Sequence, residues 1–162
     1  MKKTQKKTKK VKKNKKQITV AVSGGFDPIH IGHVRMIKEA KKMAGENGEL
    51  VVILNNDNWL RSKKGFVFMP EVERKEIIEH IKWVDKVIIT SHKPNTDDIS
   101  VCKDLCKLKP HIFANGGDRT KKNIPELDAG GEWGMKMVFG VGRGGKVQSS
   151  SDLVKKVKGV KI

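Results

Sequence analysis

The densest set of groups able to do chemistry lies in one short run, Gly24-Gly25-Phe26-Asp27-Pro28-Ile29-His30-Ile31-Gly32-His33. Its glycines allow a tight turn and a close backbone approach to a ligand. His30 and His33 stand three residues apart with Gly32 between them, and an apolar pattern of helical period follows. At a helix start this spacing turns both imidazoles the same way. They then sit beside unpaired N–H groups and the positive end of the helix dipole. Such a constellation suits a phosphoryl group that gains charge during transfer. Two ordinary histidines, one at the surface and one capping, are the plainer alternative, but the Gly-rich approach favours the phosphate. Zinc is a weaker rival, because no Cys or carboxylate with metal-ligand spacing lies nearby.

The elements that must position this run can be read from the periodicity. Residues 18–22 form a β-rich apolar run that ends at Ser23-Gly24-Gly25. Residues 31–44 carry Val34, Ile37, Ala40 and Ala44 at helical spacing and close on Gly45 and Gly48. Residues 50–54 are apolar without a break, as in a parallel strand covered on both faces. Residues 55–69 are expected to be a polar loop. Pro70 then opens a helix to about residue 80. Further strands are expected at 86–90, 111–114 and 135–139, with helices at 97–108, weakly at 125–133, and from Ser149-Ser150-Ser151-Asp152 to just before Gly159. Repeated β-α units imply an α/β fold: a Rossmann-like, doubly wound, parallel five-stranded sheet in one domain. Ligands of such sheets sit beyond the carboxyl ends of the strands, at a switch in strand order.

Composition narrows the class. The chain has 162 residues, 35 Lys+Arg against 18 Asp+Glu, and a net charge of +17. Residues 1–16 contain ten lysines and no acidic residue, and without those lysines the charge falls to +7. Such a segment has too little apolar surface to order itself and is expected to be a disordered tail on a domain spanning 17–162. It would attract polyanions through counterion release, or act only as a solubilising arm. No apolar run reaches the ~20 residues of a membrane helix. The lysine-rich start lacks the apolar stretch of a secretory signal. Two cysteines, Cys102 and Cys106, make no disulfide framework; at i, i+4 they are expected to face the core. These features together point to a cytoplasmic protein. Gly140-x-Gly142-x-x-Gly145 fits a dinucleotide fingerprint only formally, because no second βαβ unit follows it. Gly140-x4-Gly145-Lys146 lacks the Ser/Thr of a P-loop, with Val147 in that place. Trp83 is expected to pack, and Trp59 to be the better ligand candidate of the two.

The run ending His30-Ile31-Gly32-His33 resembles the signature of the nucleotidylyltransferase superfamily. That superfamily includes cytidylyltransferases for choline phosphate and glycerol 3-phosphate, and adenylyltransferases for heptose phosphate and phosphopantetheine. The same four residues match the signature of class I aminoacyl-tRNA synthetases, whose second Lys-rich catalytic loop is not visible here. Lys63-Lys64-Gly65 through Glu71-Val72-Glu73-Arg74, and on to Trp83-Val84-Asp85-Lys86-Val87, is similar to a cytidylyltransferase stretch. Ala114-Asn115-Gly116-Gly117-Asp118 is similar to the Lys-Gly-Gly-Asp element of heptose-phosphate adenylyltransferases, with Asn115 in the lysine place. The Ser149–Ser151 run resembles the Ser/Thr-rich motif heading the last helix.

The resemblance implies transfer of a nucleoside monophosphate from ATP or CTP to a phosphorylated small molecule, with release of pyrophosphate. A slight lean to ATP comes from the Gly116-Gly117-Asp118 and serine elements. A cytidylyltransferase acting on a phospho-alcohol is the alternative, and a nucleic-acid-binding protein on a retained nucleotide core is a further one. His30, His33 and Lys64 would be catalytic. Gly24, Gly25, Phe26, Asp27, Arg74, Gly116, Gly117, Asp118, Arg143, Ser149, Ser150 and Ser151 would surround the nucleotide, with Arg143 or Lys146 completing the phosphate site. Mg²⁺ is expected, held mainly by the nucleotide phosphates, and members of these families commonly form homo-oligomers.

Overall fold

The computed structural model describes residues 17–117, 125–142 and 147–158. The lysine-rich segment 1–16, Asp118, Arg143 and Lys146 lie outside the described residues. Five strands, β1 (Thr19–Gly24), β2 (Glu49–Leu54), β3 (Lys86–Ile89), β4 (Ile112–Ala114) and β5 (Lys136–Val138), form one sheet in the order β3-β2-β1-β4-β5. Every pairing is parallel. Among the described residues, six helices accompany them: α1 (Ile31–Ala44), α2 (Asp57–Lys64), α3 (Glu71–Glu79), α4 (Cys102–Leu108), α5 (Glu126–Gly131) and α6 (Ser150–Lys158). The strand order reverses between β1 and β4, which makes the carboxyl ends of these two central strands the place for a ligand.

Strand side chains alternate between two cores. Val20, Val22, Val52 and Leu54 face one side, where Met36, Ile37 and Ala40 of α1 and Ile78 of α3 close over them. Ala21, Ile53 and Phe113 face the other, against Val101, Leu105 and Met135. Both faces are therefore buried, which is why β1 and β2 read as unbroken apolar runs. Among the described residues no helix is long and apolar enough to cross a membrane.

Three sequence expectations change. Residues 57–64 are a helix, α2, rather than loop. Asn56 caps it by accepting from Trp59 N at 2.9 Å, and Gly65 ends it in the left-handed region at φ 78°. The fourth helix starts at Cys102, not 97. Ser100 donates from both N and Oγ to Asp98 Oδ1 (3.1 and 2.7 Å), and these local bonds compete with helical ones. Cys106 is exposed and Cys102 only partly covered, because Val101 and Leu105 occupy the buried positions of that turn.

Candidate active site

The carboxyl ends of β1 and β4 and the amino ends of α1 and α6 enclose an open cleft of about 360 Å³. Its lining includes Gly24, Gly25, His30, His33, Lys64, Gly116, Gly117 and Ser149 to Ser151. Residues expected to act together from four separate segments of the sequence thus share one surface.

The two histidines begin α1 as a reciprocal cap. Gly32 N donates to His30 Nδ1 at 3.1 Å, and His30 N donates to His33 Nδ1 at 3.3 Å. This has the logic of a capping box, with imidazoles in place of hydroxyl and carboxylate. A backbone N–H can only donate, so both Nδ1 atoms must carry lone pairs. The neutral rings therefore hold their proton on Nε2. The rings stack, with centroids 3.8 Å apart and planes 21° apart, and Phe26 supports His33 from beneath at 4.7 Å. Burial, then the charge of Lys64, lowers the pKa of His30. Burial, then His30, then Lys64 pushes His33 down to about 3. At neutral pH the pair is two uncharged N–H donors in a fixed stack.

Lys64 closes α2 and reaches across the cleft wall, donating from Nζ to Asp27 O at 3.3 Å. Burial lowers its pKa, the Asp27 charge opposes this, and Arg74 lowers it further. An arriving anion would reverse the first of these effects by pairing with the ammonium.

Phe26, Asp27 and Arg74 lie beneath the cleft rather than along it. Asp27 is fully buried, and its carboxylate accepts from Phe68 N at 2.8 Å and Met69 N at 2.7 Å. It therefore ties the 65–69 segment to the Gly-rich loop. Arg74 is 1 % exposed. Its guanidinium donates to Met69 O (2.8 Å), Gly25 O (2.7 Å), Asn55 O (2.8 Å) and Asp57 Oδ1 (2.7 Å). These partners are the ends of β1 and β2, the start of α2 and the loop before α3. With its donors directed into protein oxygens, Arg74 holds the floor of the site and is not brought to the nucleotide position expected from sequence.

At the other wall, Ser149 Oγ accepts from Asp152 N at 3.1 Å as a helix cap, and Ser150 Oγ donates to Pro28 O at 2.9 Å. Ser150 thus pins the amino end of α6 to the loop after β1. Trp59 lines the cleft but is 7 % exposed, its Nε1 donating to Ile99 O at 2.8 Å. Sequence reasoning left Met36, Ser23, Val141 and Gln148 out of the site, although all line it. Met36 is offset from His33 by one helical turn, which is the signal that would have found it.

The donor set does not fit a protein-held divalent metal. No carboxylate lines the cleft among the described residues, the Asp27 carboxylate is occupied by two N–H groups, and no group of three His, Cys, Asp or Glu there could hold an ion. What the cleft offers is Lys64, two neutral N–H donors and two helix amino ends, a field suited to polyphosphate.

A family model described as cytidylyltransferase-like matches residues 21–138, from the first strand to the last. The chain belongs to this cytidylyltransferase-like family. It is 36 % identical over 145 residues to the FAD synthase of Methanothermobacter marburgensis, covering 86 % of this chain and 85 % of that one. The FAD synthase of Korarchaeum cryptofilum is 37 % identical over 101 residues, 62 % of this chain and 64 % of that protein. A solved structure, the lipopolysaccharide core biosynthesis protein of Thermoplasma volcanium, superposes with a TM-score of 0.62 at 26 % identity. That match covers 78 % of this chain and 98 % of the other. This member of the cytidylyltransferase-like family is a nucleotidyltransferase.

Proposed function

We propose that the chain transfers AMP from ATP to FMN, forming FAD and releasing pyrophosphate. A phosphate oxygen of FMN attacks the α-phosphorus of ATP, the bond from that phosphorus to the bridging oxygen of the β-phosphate breaks, and pyrophosphate leaves with the electron pair. The observation that carries this reading is the capped histidine pair. With both Nδ1 atoms fixed by backbone N–H groups, the two Nε2–H groups are preorganised donors for the oxygens around the α-phosphate. They need no reorientation as charge builds there.

Lys64 would neutralise the phosphates from the facing wall, and the amino ends of α1 and α6 would receive the remaining charge. Both reactants are anions, so this neutralisation and the alignment it enforces supply most of the rate. A divalent ion, where one is used, would arrive on the triphosphate rather than on a protein carboxylate. The choice of ATP and FMN rests on the similarity to archaeal FAD synthases over most of both chains.

Incubation with ATP or CTP against FMN and a panel of phospho-alcohols tests the reading, following pyrophosphate and the adenylylated product. FAD formation from ATP and FMN is expected. CTP turnover with a phospho-alcohol while FMN stays inert would replace the flavin reading by the cytidylyl one.

A further inference from the structure

The last residue before the β4 loop, Asn115, carries a feature that the transfer chemistry above leaves unused. It lines the cleft yet is only 4 % exposed, and its side-chain Nδ2 is a buried donor with no hydrogen-bond partner. Its backbone is locked from both sides. Asn115 N donates to Val138 O at 2.7 Å, and its carbonyl accepts from Val141 N at 3.0 Å. The side chain therefore leaves a fixed point at the switch between β1 and β4. A buried amide without a partner weakens the unliganded protein, and such groups in native structures call for an explanation.

The surroundings indicate what the missing partner is. The cationic and helix-end groups gather on the side of Lys64, His30, His33 and the start of α6. Among the described residues, the wall next to Asn115 is different: Met36, Gly116, Gly117, Val141 and Gly142 contribute apolar atoms and glycine backbone, with no charged side chain. Apolar atoms and glycine backbone suit the nucleoside half of a nucleotide, and a neutral donor among them selects for an acceptor at one position. Resting on the reading of the cleft as a nucleotide site, we propose that Asn115 is a nucleoside-recognition residue whose side-chain N–H donates to an acceptor atom of the ribose or base.

The test compares a ligand that has a nucleoside with one that does not. Binding of ATP and of inorganic tripolyphosphate is measured by calorimetry for the full chain and for Asn115→Leu, together with the melting temperature of each apo protein. Leucine has nearly the shape of asparagine and no donor. The expected result is ATP binding weakened about tenfold, tripolyphosphate binding within about twofold of wild type, and an apo melting temperature equal to or above wild type, since the orphaned donor is gone. A purely structural role for Asn115 would lower the melting temperature and weaken both ligands alike. That outcome, or an unchanged ATP affinity, overturns the proposal. If the leucine variant does not fold, Asn115→Ala carries the same two-ligand comparison. A wild-type chain that binds tripolyphosphate and ATP equally well refutes nucleoside recognition while leaving the phosphate site standing. One that binds neither brings down the nucleotide reading and this inference with it.

Discussion

Arg74→Met separates a residue that builds the site from one that touches the ligand. Methionine keeps much of the volume of the arginine stem but removes four hydrogen bonds, three to carbonyls and one to Asp57. The guanidinium and its acceptors are at the floor of the cleft, where water cannot easily replace them. Removing one member of a buried, hydrogen-bonded charge pair costs about 3–5 kcal/mol. A whole domain is stable by only ~5–15 kcal/mol. For a chain of this length each kcal/mol is worth ~2–4 °C, so the expected fall in melting temperature is about 10 °C. Urea unfolding and thermal melts followed by circular dichroism would read it. At a temperature where the variant remains folded, kcat should fall more than KM for ATP rises, because the Gly25 carbonyl and the start of α2 lose their fixed spacing. A melting temperature within about 2 °C of wild type, combined with a large rise in KM for ATP, would refute the reasoning and make Arg74 a direct nucleotide contact.

Other perturbations have equally definite outcomes. In Gly32→Ala the new Cβ would lie 3.0 Å from His30 Cε1 and Nδ1, so the ring must shift. Alanine also favours the helix by up to ~1 kcal/mol, so kcat should fall at least about tenfold with no loss in melting temperature. Lys64→Gln should raise KM for ATP roughly 10- to 100-fold, the worth of one charged hydrogen bond, and flatten the salt dependence of binding. The His33 pKa gives a stability signature. It lies near 3 in the folded chain against 6.5 unfolded. Between these values the unfolded state binds one more proton, so stability rises with pH across the window and is lost as pH falls through it. The slope contributed by this residue is at most ~1.4 kcal/mol per pH unit. His33→Phe should remove that component from a series of melts between pH 4 and pH 7.

Much of this architecture was legible because its signals are redundant. Continuous apolar runs in β1 and β2 require burial on both faces, and the Gly-rich turn before His30 requires a helix start. Helix α2 was not legible because its two buried residues, Trp59 and Leu60, are adjacent and produce no period; only Asn56 and Gly65 marked its ends. The region before α4 read as helix because Ile99, Cys102 and Cys106 share a spacing, yet Asp98 and Ser100 bond locally and delay the helix start to Cys102. At the site, the types and spacing of His30 and His33 suggested donors for phosphate. Their mutual capping, which fixes the tautomer, depends on geometry at the sub-ångström level. Arg74 marks the other limit: the resemblance groups it with the nucleotide residues as one that organises the site from its helix, and only three-dimensional placement reveals that its donors are directed into the protein.

In the proposed reaction two neutral imidazoles, each protonated on Nε2, present their N–H groups to the nucleotide phosphates. Long-range ¹⁵N–¹H spectra of histidine-labelled protein at neutral pH test this without relying on turnover. Both rings should show an unprotonated Nδ1 and a protonated Nε2, and addition of ATP should shift the Nε2 signals of His30 and His33 far more than those of His80, His92 and His111. Protonation on Nδ1, charged rings at that pH, or Nε2 signals indifferent to ATP would contradict the account.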